Sequence, residues 1–329
     1  MNIIKKLKTH LLSTAHHLIG KNGLWKVVKN KNELILCLAY HEVCTDVPDY
    51  LKKMDIFITP EHFEKHIQFI VNNFECISIK ELFKSSQKEK IRVLITFDDG
   101  YKGNFDYAFP ILKKYNCPAT IFITTGYIDR AILPWRAGLH YLLHNNKESS
   151  IRDTINFQRE KIKKDQNVLN WSKQNFSSEL YKTINDLLIQ EPGINKLYDV
   201  FLTWEQIRTM YQSSLISFGL HSVTHQIMSK LIFDEQVQEI VTGVESFWKN
   251  LQIEPDGFAY PFGGKSHFNQ DTIAALKRNL PGKPGFMLGN GVNKVGYTNN
   301  YTIQRLCVHD WTTSELSNSM FTNHLKVNN

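Results

Sequence analysis

Six apolar, β-leaning runs punctuate the chain, at residues 34–40, 91–97, 119–124, 216–220, 257–260 and 301–308. Between most of them lie longer segments with apolar positions at helical spacing, over 60–73, 104–115, 234–251 and 269–280. Apolar runs that alternate with amphipathic segments predict parallel strands covered by helices, an α/β fold. In such folds the functional side chains gather where strands end. Tyr40 and His41 end the first run, Asp98 and Asp99 the second and His221 the fourth, and His309 follows the last. One rim is therefore expected to carry several ionisable or metal-binding groups. The rhythm breaks over residues 130 to about 200, a stretch rich in Lys, Asn, Gln and Ser with no clear buried strand. This stretch, with Leu133-Pro134-Trp135-Arg136 near its start, is expected to be a helical insertion over or beside the rim. The predicted organisation is an N-terminal basic helical segment over 1–32 and one main domain over 33–329 that carries the insertion.

Composition sharpens this picture in three places. With 329 residues, 42% of them hydrophobic, the chain can bury a large core, which argues against disorder. The formal net charge of +7 comes from Lys and Arg scattered among acidic residues, which argues against a nucleic-acid partner. The surplus is denser near the start, at Lys5, Lys6, Lys8, Lys21, Lys26, Lys29 and Lys31, a pattern that suits peripheral contact with an anionic membrane surface or simply a solvated face. Cys37, Cys44, Cys76, Cys117 and Cys307 are odd in number and widely spread, so reduced residues are expected and not a disulfide framework. Thr14, His16 and His17 interrupt the apolar residues Leu11, Leu12, Leu18 and Ile19, so neither a cleaved leader nor a membrane span is expected. The corresponding expectation for location is the cytoplasm, at the inner membrane face.

Two constellations carry chemistry. Thr96-Phe97-Asp98-Asp99-Gly100 closes an apolar run with adjacent carboxylates, which repel one another unless a cation or proton separates their roles. Successive side chains at a strand end diverge, so one carboxylate can bind an ion while the other reaches a water. Asp-Asp-Gly is also ordinary turn chemistry. The second constellation is Gly219-Leu220-His221-Ser222-Val223-Thr224-His225. Here Ser222 is expected to cap a helix and His225 to lie in its first turn, with both imidazoles converging. Two imidazoles and one carboxylate make a ligand set that leaves a metal position open, as catalytic sites do. A pair of surface or core histidines is the plainer alternative.

Taken together, these segments resemble the first two motifs of the polysaccharide deacetylases, the family-four carbohydrate esterases that act on N-acetylated glycans. The resemblance runs from about residue 36 to 311 and takes in Tyr40-His41-Glu42-Val43, Thr59-Pro60-Glu61-His62-Phe63 and Phe258-Ala259-Tyr260-Pro261-Phe262-Gly263. It implies a distorted, incomplete (β/α) barrel. It also implies Asp98 as general base and Asp99, His221 and His225 as ligands of one divalent ion, most often zinc, with cobalt, nickel or iron also compatible with such ligands. The loop of Tyr260, Pro261, Phe262 and Gly263 would hold the developing oxyanion through a backbone N–H, with Gly263 and Gly264 allowing close approach. His309 resembles the position of the family's catalytic histidine, with Asp310 or Arg305 near enough to tune it, and His41 and His267 are rivals.

One departure is visible: Tyr260 stands ahead of Pro261 where many members place an arginine that orients the base, so that role falls to Arg305 or another group. The Tyr-Pro-aromatic-Gly pattern resembles that of a branch of the family associated with surface-polysaccharide assembly. Among the tryptophans, Trp204 and Trp311 read as packing residues, and Trp135 beside Arg136 is the candidate for glycan contact together with His41. The implied reaction is hydrolysis of the N-acetyl group on a GlcNAc-like unit of a polysaccharide, a glycan precursor or a lipid-linked saccharide. O-deacetylation at the same site, or a non-catalytic glycan-binding role, are the alternatives.

Overall fold

The computed structural model describes residues 33–84, 90–157, 162–163 and 165–328. In chain order its strands are β1 Leu34–Tyr40, β2 Glu42–Val43, β3 Phe57–Ile58, β4 Glu75–Cys76, β5 Arg92–Phe97, β6 Ala119–Ile123, β7 Ile216–Leu220, β8 Phe258–Ala259, β9 Gly285–Leu288, β10 Val292–Lys294 and β11 Ile303–Cys307. Strands β5, β6, β7, β8, β9, β11 and β1 are parallel neighbours, and β1 pairs back onto β5 from Ile35↔Arg92 to Tyr40↔Phe97. The result is a closed ring of seven parallel strands, one short of a full (β/α) barrel. Strand β10 lies antiparallel along the start of β1, and β4 lies parallel beside the start of β5.

Why the predicted runs are mostly apolar without a strict alternation is now clear: the ring strands are buried on both faces. Ile35, Cys37, Leu94, Phe122 and Phe286 fill the inside of the ring, while Leu36, Leu38, Val93, Ile95 and Phe97 face the surrounding helices. Because side chains alternate along a strand, the inward row on β5 runs Leu94, Thr96 and then Asp98 just past its end. The same period on β11 carries Ile303 and then Arg305 into the ring.

The six predicted runs all form ring strands, but the seventh, Gly285–Leu288, was not among them. Its four residues follow Pro281-Gly282-Lys283-Pro284 and precede Gly289, so the local chemistry reads as a turn, and only pairing with β8 and β11 makes it a strand. The predicted helix over 60–73 is present as Pro60–Asn73, with Thr59 accepting from the His62 N–H at its start. The predicted helix over 104–115 is divided into a π-helical turn, Asn104–Ala108, and an α-helix, Phe109–Lys114.

Between β6 and β7 the helices Trp135–His144, Glu148–Phe157, Val168–Gln174 and Ser178–Leu188 pack around their own apolar cluster, which includes Trp135, Leu139, Trp171 and Ile184. Gly138 lets two of these helices approach, since a Cβ there would lie 2.2 Å from Leu188 Cδ1. The predicted basic segment over 1–32 lies outside the described residues. Among the described residues no helix is long and apolar enough to cross a membrane.

Candidate active site

At the rim where the ring strands end, Asp99 Oδ1 lies 3.4 Å from His221 Nε2 and 3.2 Å from His225 Nε2. Asp99 is reached by a turn in which it and Gly100 both adopt left-handed backbone, with φ of 71° and 80°. A non-glycine residue in that region is uncommon and is found where the surroundings enforce it. His221 follows β7 directly, and its ring Nδ1 lies 2.7 Å from the Ala259 carbonyl. A carbonyl only accepts, so Nδ1 carries the hydrogen, and burial lowers the His221 pKa to about 4, which keeps the ring neutral. Nε2 is therefore a bare lone pair aimed at a carboxylate oxygen.

Two acceptors facing one another, with Asp99 Oδ1 buried and lacking a hydrogen-bond partner, are unfavourable until a cation joins them. The spacing fits one. Ligand atoms about 2.1 Å from a tetrahedral ion lie roughly 3.4 Å apart. Asp99, His221 and His225 can thus hold a metal ion.

The segment between the two histidines is not a helix. Ser222 and His225 have φ of 62° and 56°, which an α-helix excludes, so the expected capped helix is corrected to an irregular loop. Ser222 Oγ still accepts the His225 N–H at 3.0 Å. The peptide N–H groups of Val223 and Thr224 donate to Glu239 Oε2 at 2.9 Å each, and the Thr224 hydroxyl donates to the other carboxylate oxygen. Trp135, the expected glycan contact, is only 1% exposed and donates its indole N–H to the His225 carbonyl at 3.1 Å. It braces His225 from behind and does not face the cavity. Trp204 donates to Asp129 and packs on Phe247.

Asp98 points into the ring and meets Arg305 through two parallel bonds, Nη1 to Oδ1 at 2.6 Å and Nη2 to Oδ2 at 2.8 Å. Both side chains are buried. Burial alone would raise the Asp98 pKa, but Arg305 first, and the facing histidines next, hold it below the usual carboxylate range. Thr96 fixes the pair's depth: its hydroxyl donates to the Leu38 carbonyl and accepts from Arg305 Nη1. Arg305 thus holds both oxygens of Asp98 from within the ring.

Asp98, Asp99, His41, His221, His225, Phe262 and His309 line one cavity of about 210 Å³. His309 Nδ1 donates to the Asp55 carbonyl at 2.9 Å and lies 3.2 Å from the Asp55 carboxylate. The carboxylate of Asp310, one of the two groups expected near it, is bonded elsewhere. That carboxylate is taken by the N–H and hydroxyl of Thr59 and by His62, at the start of the Pro60–Asn73 helix. His41 has a buried Nδ1 without a partner, and His267 Nδ1 accepts from the Gly264 N–H.

In the Tyr260 to Gly263 loop, the Tyr260 N–H is committed to the Phe286 carbonyl and the Gly263 N–H to the Tyr260 carbonyl, while Pro261 has none. The Tyr260 ring stacks on Phe268, and its hydroxyl bonds the Tyr301 carbonyl, away from the cavity. Gly263 is required where it stands: φ is 63°, and a Cβ would lie 2.7 Å from the Leu288 nitrogen. Reasoning from sequence missed Glu239 and Asp55. Glu239 sits within an amphipathic helix, Phe233–Leu251, and Asp55 in a short loop, so no local pattern marks either.

A seven-stranded α/β barrel with two histidines and a carboxylate clustered at its rim, next to a buried aspartate–arginine pair, defines the class. The polysaccharide deacetylase family profile matches residues 85–279, more than half of the chain, and the chain belongs to that family. A poly-beta-1,6-N-acetyl-D-glucosamine N-deacetylase of Staphylococcus epidermidis is 32% identical over 135 residues, covering 37% of this chain and 47% of the relative. The Staphylococcus aureus protein of the same name is 30% identical over 118 residues, covering 31% of this chain and 40% of that one. The chain thus matches about half the length of these relatives. Among solved structures, the Streptococcus pyogenes deacetylase PplD in complex with acetate is similar with a TM-score of 0.59, at 19% identity over 87% of this chain and 98% of that one. IcaB from Ammonifex degensii gives 0.56, at 18% identity over 88% and 98%. At these identities the likeness concerns the fold, and it agrees with the expected deacetylase-type barrel.

Proposed function

We propose that this protein is a divalent-metal-dependent hydrolase that removes the N-acetyl group from a GlcNAc-like unit of a polysaccharide or glycan precursor. The observation that carries the proposal is the bare imidazole–carboxylate cluster of Asp99, His221 and His225 beside an Asp98 held anionic by Arg305. The Staphylococcus relatives support N-acetylated β-1,6-linked glucosamine oligomers as the first substrates to test.

A divalent ion, zinc before others, held by Asp99, His221 and His225 would supply Lewis-acid activation of water and of the acetamide carbonyl. Asp98 then acts as base, taking the proton of the attacking water. Arg305 keeps that carboxylate charged and fixes its direction, because both of its oxygens are held. Of the loop's backbone donors only the Phe262 N–H is left uncommitted, which makes it the group for the developing oxyanion. His309, supported on Nδ1 by Asp55, has Nε2 left to give a proton to the departing amine.

The test combines metal analysis with acetate and free-amine assays. Asp98→Asn should keep its metal and lose turnover by roughly 10²- to 10⁴-fold, whereas His225→Ala should lose metal as well. Normal turnover by Asp98→Asn would remove the assigned base. Acetate release without a new amine would replace N- by O-deacetylation.

A further inference from the structure

Arg136 and Lys173 have no part in the chemistry above. Both come from the helices between β6 and β7 and line the cavity, and both stand over the Phe262 ring, 5.0 Å and 5.2 Å from its centroid. A ring face attracts a cation without neutralising it. Among the described residues neither side chain makes a hydrogen bond or ion pair. Burial weakens the hold of each on its proton, and Arg136 further weakens that of Lys173, so two like charges share a partly desolvated wall. No carboxylate of the cavity pairs directly with them: Asp98 is matched by Arg305, Asp55 lies against His309, and Asp99 attracts Arg136 only through space while it faces the two histidines. A divalent ion on Asp99 would add to the positive surplus. Such a wall is costly unless the ligand itself brings negative charge.

We infer that Arg136 and Lys173 form an anion clamp, on a Phe262 platform, that selects substrates carrying a phosphate or carboxylate on or beside the N-acetylated sugar. The sugar and its reaction rest on the deacetylase reading, while the clamp stands on the two cations alone. The guanidinium fork of Arg136 suits bidentate recognition of a phosphate or carboxylate, and Lys173, at the exposed edge, adds a point charge.

Two measurements separate the clamp from the deacetylase proposal. In the first, the metal-free protein is titrated calorimetrically with N-acetylglucosamine 1-phosphate, N-acetylglucosaminuronic acid and plain N-acetylglucosamine. At least one anionic sugar should bind tenfold or more tightly than the neutral one, and the two anionic arms show which group is preferred. Arg136→Gln should remove most of that margin, Arg136→Lys only part of it, and Lys173→Gln, at an exposed position, about threefold. Equal binding of all three sugars would overturn the clamp. In the second, the ratio of kcat/KM for anionic over neutral substrates is compared between the metal-loaded wild type and Arg136→Gln. That ratio should fall at least tenfold, chiefly through KM. Loss of the same size on both substrates would mean that Arg136 is structural or acts on the reaction itself, and would also overturn the clamp. A clamp seen in binding, with no acetate released from any sugar, would instead sink the deacetylase reading.

Discussion

Arg305 lies 207 residues beyond Asp98 in the chain, yet its two terminal nitrogens meet both oxygens of that carboxylate, inside the ring. The pair sets the charge state on which the proposed base depends. Arg305→Lys keeps a positive charge but cannot hold both oxygens. The expected result is a ten- to hundredfold fall in kcat and an acid limb of the pH–rate profile moved to higher pH, since Asp98 loses part of what holds its pKa down. Arg305→Ala leaves a buried carboxylate unpaired and should destabilise the fold by about 3–5 kcal/mol, read by denaturant unfolding. An unchanged acid limb in Arg305→Lys would contradict the assignment.

Trp135 reaches the proposed metal site through one hydrogen bond. Trp135→Phe retains an aromatic ring against Phe176 and Phe262 but removes the donor to the His225 carbonyl. Partners behind a ligand typically contribute 10- to 100-fold to metal affinity, and about tenfold weaker zinc binding is expected in competition with a chelator. An affinity equal to wild type would mean that His225 is held by its loop alone.

Glu239 holds that loop from the other side. Glu239→Met keeps the length of the side chain but removes both accepting oxygens, leaving the Val223 and Thr224 peptide N–H groups and the Thr224 hydroxyl without their acceptor. The segment from His221 to His225 should loosen, and metal affinity should fall about tenfold with little change in the circular dichroism of the folded protein. Unaltered affinity would show that the positive-φ turn holds itself.

The metal-free protein should be acid-sensitive in a particular window. His66 is buried, accepts the Tyr40 hydroxyl on Nδ1 and donates from Nε2 to the Trp311 carbonyl, and burial lowers its pKa to about 4. Unfolded histidine titrates near 6.5. Between about pH 6.5 and 4 the unfolded chain therefore binds the extra proton, so stability falls as pH falls through that window and levels off below it. The full shift corresponds to about 3 kcal/mol. His66→Gln should flatten the slope of Tm against pH between 5 and 6.5, where carboxylates contribute least, and an unaltered slope would show that other groups control acid sensitivity.

Six of the ring strands were legible because each is buried on both faces, and Asp98, Asp99 and His221 because they directly follow such runs, with His225 found through its spacing from His221. Burial on both faces writes itself into the sequence as continuous apolar residues. Gly285–Leu288 was not legible, because four residues among glycines and prolines carry no local pattern and owe their extended state to two neighbours. Ser222 misled for a related reason: a serine ahead of a histidine looks like a cap, while the competing acceptor, Glu239, lies on a helix well down the chain. Trp135 shows the limit of residue type, since an indole serves a backbone carbonyl as well as a sugar face. Arg305 could be named only as one option for orienting the base, and the bidentate pairing needed the ring to close.

Because β11 is among the last strands in sequence, a chain emerging from the ribosome exposes every proposed metal ligand and the base well before Arg305 exists. Until that strand inserts between β1 and β9, Asp98 has no counter-charge and the ring stays open. Competence for the proposed hydrolysis therefore waits for β11, and a polypeptide that stops short of Arg305 should be inert even though it holds every proposed metal ligand.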